Sequence, residues 1–145
     1  MSKMTNLLFT YGTLQIPDVM ETVSGSVPKW VEAQVRGYSQ YRLIDRIYPG
    51  MIAREEGTTS GRVYVDVGAV AWGLLDRFED PVYERQEVRV HLADGNAMKA
   101  QAYVLPLRYA HLLSSEPWAI SWFAEHHAQD YVRRCRLFYH MITLT

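Results

Sequence analysis

A single cysteine, Cys135, stands in the 145 residues, so no internal disulfide can form. Neighbouring Arg133, Arg134 and Arg136 could lower its pKa, yet no histidine sits at a partnering spacing. No charge of one sign dominates: 15 basic and 16 acidic residues leave a net charge of −1. There is no basic stripe beyond that short arginine cluster, which reads as a solvated helix end. Nucleic acid is therefore a poor partner. No apolar run approaches the roughly 18 residues of a membrane span. The polar start, MSKMTN, has no secretory apolar region, so a cytoplasmic protein is expected, with no membrane partner. The metal-ligating types are thin too. His126 and His127 point about 100° apart on a helix, and only His126 with Asp130 has i, i+4 spacing. Two ligands make a weak site, and neither metal nor cofactor is expected. Repeats, low-complexity tracts and linkers are absent.

What is present suits one packed domain over residues 1–145: 48% apolar and 21% charged residues are globular proportions. Leu7 to Tyr11 is an apolar run of the buried-strand type. Residues 15–27 form a loop or short helix closed by Pro28. Val31, Ala33 and Val35 alternate, Gly37 interrupts, and residues 41–44 resume, as in a bulged strand. Tyr48-Pro49-Gly50 reads as a turn. Val63, Val65 and Val67 alternate again. Ala71, Leu74, Leu75 and Phe78 then switch to helical spacing. Residues 83–92 and 98–105 form strands around the turn Ala93-Asp94-Gly95-Asn96. Ser114-Ser115-Glu116-Pro117 reads as a helix start. Beyond it Trp118, Ile120, Trp122, Phe123 and Tyr131 are too apolar for a free tail, so residues 112–145 are expected to cover the body of the protein.

Two places carry chemistry. With Ala71 at zero on the helical wheel, Glu79 falls at about 80°, on the edge of the apolar stripe, and Asp76 at about 140°, nearer solvent. Pro81 disfavours helix at Asp80, which leaves Glu79 in the last turn, at the negative end of the helix dipole. Burial and dipole both raise its pKa. Such a carboxyl can accept a proton and return it. The competing reading is a helix-end glutamate paired with Arg77 or Arg85. The second place is Tyr11-Gly12-Thr13-Leu14, just past the first strand. A glycine there lets backbone approach a ligand, and successive free N–H groups cradle an anion. An ordinary strand-end turn is the alternative.

Several segments taken in order resemble the gamma-glutamylcyclotransferase-like family, in its gamma-glutamylamine cyclotransferase and avirulence-induced-gene branch. They are Leu8-Phe9-Thr10-Tyr11-Gly12-Thr13-Leu14, Tyr48-Pro49-Gly50, Gly61-Arg62-Val63-Tyr64 and Leu75-Asp76-Arg77-Phe78-Glu79. Tyr83-Glu84-Arg85, Val88-Arg89-Val90 and Ala102-Tyr103-Val104 follow. The resemblance covers residues 6–105, with 106–145 as a C-terminal helical extension. It implies an α+β fold: a small mixed β-sheet curled into a barrel-like core, flanked by helices, with a cavity at one end. It also implies a reaction without cofactor, in which a gamma-glutamyl amide or amine cyclises to 5-oxoproline and releases the amine. Glu79 would be the catalytic acid/base. Tyr11, Gly12, Thr13 and Leu14 would hold the substrate's α-carboxylate, and Tyr83 and Tyr103 would line the pocket. One departure stands out: Asp80 follows the glutamate where the family commonly has glycine. The alternatives are a catalytically silent small-molecule binding or interaction module on the same fold, and hydrolysis of another small amide. The leaving amine and the oligomeric state are not specified by the sequence.

Overall fold

The computed structural model describes residues 6–143. The polar start read above falls, apart from Asn6, outside them. Five strands close into a barrel: β1 (Leu8–Thr10), β2 (Trp30–Arg42), β3 (Pro49–Tyr64), β4 (Glu84–Leu92) and β5 (Ala97–Val104), in the spatial order β1-β3-β2-β4-β5. Every pairing is antiparallel except β1 with β5, which is parallel and shuts the barrel at Leu8 and Gln101. Four helices pack outside: α1 (Pro17–Ser24), α2 (Ala69–Phe78), α3 (Ile120–His126) and α4 (Ala128–Thr143). The fold is the expected α+β barrel with flanking helices.

The apolar run of β1 follows from its position. Alternate side chains leave a strand on opposite faces, and here both faces are covered. Phe9 and Tyr11 point into the barrel core with Val35, Val63 and Val90. Leu8 points outward into a second core with Val19 and Met20 of α1 and with Trp72 and Leu75 of α2. Full burial of each such large side chain stabilises by about 1.5–3 kcal/mol. The break at Gly37 is a β-bulge between Arg36 and Tyr38, made possible by a φ of 84° that a side chain would oppose. The hairpin turn lies where Asp94-Gly95 put it, with Gly95 also at positive φ.

Four local expectations are corrected. Pro49 and Gly50 begin β3 rather than sitting in a turn, which lies upstream: Leu43 N–H bonds the Tyr48 carbonyl and Arg46 N–H the Leu43 carbonyl. Residues 51–62, which lack a clear period, continue β3. Helix α2 ends at Phe78, so Glu79 is its cap, extended at φ −66° and ψ 143° though its N–H still reaches the Leu75 carbonyl. Ser114 to Pro117 starts no helix. Ser114 donates backbone N–H and hydroxyl to the Arg42 carbonyl, and the Glu116 carbonyl accepts the Arg42 N–H. The segment thus runs along the end of β2, and helix begins only at Ile120. It breaks at His127, so the tail is two helices instead of one.

The tail covers the body, as expected. Trp118 is 5% exposed and Phe123 fully buried. The Trp118 indole N–H donates to the Ile47 carbonyl at 2.8 Å. Phe123 and Phe78 each meet Tyr131 edge to face.

Candidate functional site

The strand that leads to Tyr11 stops because the chain turns into one 3-10 turn, Thr13–Gln15. Within it every carbonyl is used. Gly12 accepts from the backbone and side-chain N–H groups of Gln15, Thr13 from Ile16 N–H, Leu14 from the Tyr64 hydroxyl and Gln15 from Arg62. The N–H groups of Gly12, Thr13 and Leu14 donate to no described residue. A turn held by its carbonyls therefore presents three amides. Gly12 is needed for a reason the sequence did not suggest: a Cβ there would lie 3.1 Å from both Cγ and Cδ of Pro49. It is the Pro49 ring, not the amides, that a side chain would meet first.

These residues form one wall of a cavity of about 300 Å³. The opposite wall is the end of α2 and the residues after it. All seven residues singled out in the sequence line the cavity: Tyr11, Gly12, Thr13, Leu14, Glu79, Tyr83 and Tyr103. Tyr48, Pro49, Asp80 and Tyr131 join them. The YPG motif marked the neighbourhood of Tyr48 and Pro49. Tyr131 carries no local signal, since only the docking of α4 brings it there.

The Glu79 carboxyl accepts no hydrogen bond and forms no ion pair among the described residues. Arg85, one candidate partner, pairs instead with Asp76 at 3.2 Å and lies over the Trp72 ring. Burial first, then the Asp80 and Asp76 charges, push the Glu79 pKa up from 4.5 to about 8. A group poised there exchanges protons at physiological pH. Asp80 goes the other way. Burial alone would raise it, but the Tyr48 hydroxyl, the Val82 N–H and Arg46 outweigh burial and hold it below its ordinary value. Asp76 is less idle than its wheel position implied, because it accepts the Tyr103 hydroxyl at 2.7 Å.

The tyrosines are already engaged as donors. Tyr11 bonds the Tyr103 carbonyl, Tyr83 the Pro49 carbonyl and Tyr103 the Asp76 carboxylate. Burial raises the pKa of all three, so they face the cavity as neutral rings. The Thr13 hydroxyl points to the Tyr131 oxygen at 3.4 Å. The arginines beside Cys135 do not lower its thiol: burial and then the Glu79 charge push it up to about 12. It is no nucleophile at neutral pH. Among the described residues no group of three His, Cys, Asp or Glu side chains could hold a metal, and no helix is long and apolar enough to cross a membrane.

Comparison with known proteins agrees with this geometry. AIG2-like protein C of Arabidopsis thaliana is 31% identical over 132 residues, covering 90% of this chain and 76% of the relative. AIG2-like protein D of the same plant is 31% identical over 94 residues, covering 65% of this chain and 62% of the relative. An Arabidopsis thaliana protein of known solution structure superposes with a TM-score of 0.69 at 26% identity, over 92% of this chain and 90% of that one. A gamma-glutamyl cyclotransferase shares the fold, with a TM-score of 0.60 at 14% identity over 70% of this chain and 66% of that one. Residues 8–120, which hold the amide turn, Glu79 and most of the cavity wall, match the family described as gamma-glutamyl cyclotransferase, AIG2-like, and the chain belongs to that family.

Proposed function

We propose that this protein cyclises a gamma-glutamyl amine or amide to 5-oxoproline and releases the free amine. The observation that carries the reading is one cavity lined both by Gly12, Thr13 and Leu14, whose amides have no acceptor among the described residues, and by Glu79, whose pKa burial pushes up to about 8. The substrate's α-carboxylate binds the amides of Gly12, Thr13 and Leu14, as anions do at a backbone nest. Its α-ammonium, with a pKa near 8 for a chain-terminal amine, then lies within reach of Glu79. The two affinities are matched, so proton transfer between them is nearly free of cost.

The freed amine attacks the γ-carbonyl of the same molecule. A C–N bond forms, the tetrahedral intermediate collapses, and the bond to the leaving nitrogen breaks. Two protons leave the attacking nitrogen in all, and both end on the released amine. One carboxyl that accepts and returns protons balances the reaction. Attack within one molecule makes folding the substrate the main task, since effective molarities for well-oriented groups reach about 10⁵–10⁸ M. The neutral rings of Tyr11, Tyr83 and Tyr103 supply rigid walls for that folded conformer.

A panel of gamma-glutamyl amines and amino acids tests the proposal, read out as 5-oxoproline. Free glutamate as the product would mean hydrolysis, and binding without either product would mean a binding module. The engaged hydroxyls of Thr13, Tyr11, Tyr83 and Tyr103 favour that module reading, because few side-chain donors remain for a transition state.

A further inference from the structure

We propose that Asp80 is a positioning residue of this site, tying the Glu79 segment to Tyr48 and Pro49 and holding a fixed negative charge beside the base. The proposal rests on the reading of Glu79 as the acid/base. Its geometry is a closed set of bonds. One Asp80 carboxylate oxygen accepts the Tyr48 hydroxyl at 2.6 Å and faces Arg46 at 3.5 Å. The other accepts the Val82 N–H at 3.1 Å, and the Asp80 carbonyl accepts the Tyr83 N–H at 3.0 Å. The turn after α2 is thereby folded so that the Tyr83 hydroxyl reaches the Pro49 carbonyl. Pro49 in turn packs on Gly12. Asp80 thus connects the base to the amide turn through two short links, Tyr48-Pro49 and Tyr83-Pro49.

The charge matters as much as the tie. Asp76 and Asp80 act on Glu79 from its own helix end, and Tyr11, Tyr83, Tyr103, Tyr131 and Cys135 face it from β1, the turn after α2, β5 and α4. The tyrosines and the thiol are neutral at working pH, so burial is the main cause of the raised Glu79 pKa and the charges of Asp80 and Asp76 add to it. The Tyr48 hydroxyl, the Val82 N–H and Arg46 are the groups that keep Asp80 ionised.

The test is a titration of the Glu79 carboxyl by NMR on protein labelled with ¹³C-glutamate, alongside pH profiles of kcat/KM. Asp80→Asn keeps an acceptor for Tyr48 or Val82 but removes the charge. It lowers the Glu79 midpoint by roughly one pH unit, as loss of a like charge does, and the acidic limb of kcat/KM moves with it. Tyr48→Phe keeps the charge but cuts the tie, so kcat/KM falls with a far smaller change in midpoint. Should Asp80→Asn not fold, Asp80→Gly must lower both midpoint and rate. An unchanged midpoint without the Asp80 charge overturns the proposal, as does an equal midpoint shift in Tyr48→Phe. A wild type that makes no 5-oxoproline refutes the acid/base reading instead, because the titration does not depend on turnover.

Discussion

The hydroxyl of Tyr11 donates to the backbone carbonyl of Tyr103 at 2.7 Å and accepts the Met51 N–H at 3.1 Å, inside the barrel. One phenol, on the residue just past β1, therefore joins β3 and β5 beside the cavity. Tyr11→Phe would strand two buried backbone groups. The expected cost is about 2–4 kcal/mol, read as a lowered denaturant midpoint. A cost below about 0.5 kcal/mol would mean that water replaces the phenol and that the strut is unimportant.

Glu79→Gln should stabilise the protein at alkaline pH. The folded-state pKa is raised from 4.5 to about 8, so the native state holds a proton that the unfolded chain has lost. Stability from this group is full below about pH 4.5, declines as pH rises and is gone above about pH 8. The glutamine variant lacks that loss. At pH 9 it should exceed wild type by several kcal/mol, about 5 at most, and the gap should close at pH 4. Thermal melts at the two pH values check this. A gap independent of pH would contradict the burial of an ionisable carboxyl.

Gly12→Val should raise KM at least ten-fold while leaving much of the fold. The new Cβ presses on the Pro49 ring 3.1 Å away, and displacement of either segment moves the amide turn relative to Glu79. The KM for any accepted gamma-glutamyl compound, compared with a circular dichroism spectrum of the variant, checks the prediction. An unaltered KM would remove the turn from the binding site.

The tail should behave as structure. Phe123→Ala removes a fully buried ring packed on Trp118 and Tyr131 and should cost about 3–5 kcal/mol. Leu137→Ala, 62% exposed on α4, should change stability by less than about 0.5 kcal/mol. Equal effects from the two would mean that α3 and α4 do not share the core.

Legibility in the sequence followed the physics of each segment. Val31, Ala33 and Val35, the Gly37 interruption and the Ala71 to Phe78 spacing are local periodicities, and each became the expected element. The long strand β3 did not declare itself, because residues 53–56 and 58 are exposed and no alternation survives there. Ser114 to Pro117 carries every local mark of a helix start, yet hydrogen bonds to Arg42 from across the sheet outweighed them. Glu79 and the amide turn were visible as an odd carboxyl and an odd glycine. That they face one cavity was implied only by the family resemblance, not by either segment alone, since it depends on how α2 docks on the barrel. Nor did the sequence reveal that Asp80 binds Tyr48, or that Tyr131 completes the wall from a helix begun fifty residues later.

The central claim is that Glu79 moves protons for a cyclisation, and its most direct measurement is single-turnover release of 5-oxoproline at pH 8 from a gamma-glutamyl compound that the wild type accepts. The glutamine side chain keeps the shape but accepts no proton, so Glu79→Gln should lower the rate at least about 100-fold, the scale of general acid–base catalysis, while substrate still binds. A folded Glu79→Gln protein that forms 5-oxoproline at a rate near that of the wild type would contradict the account.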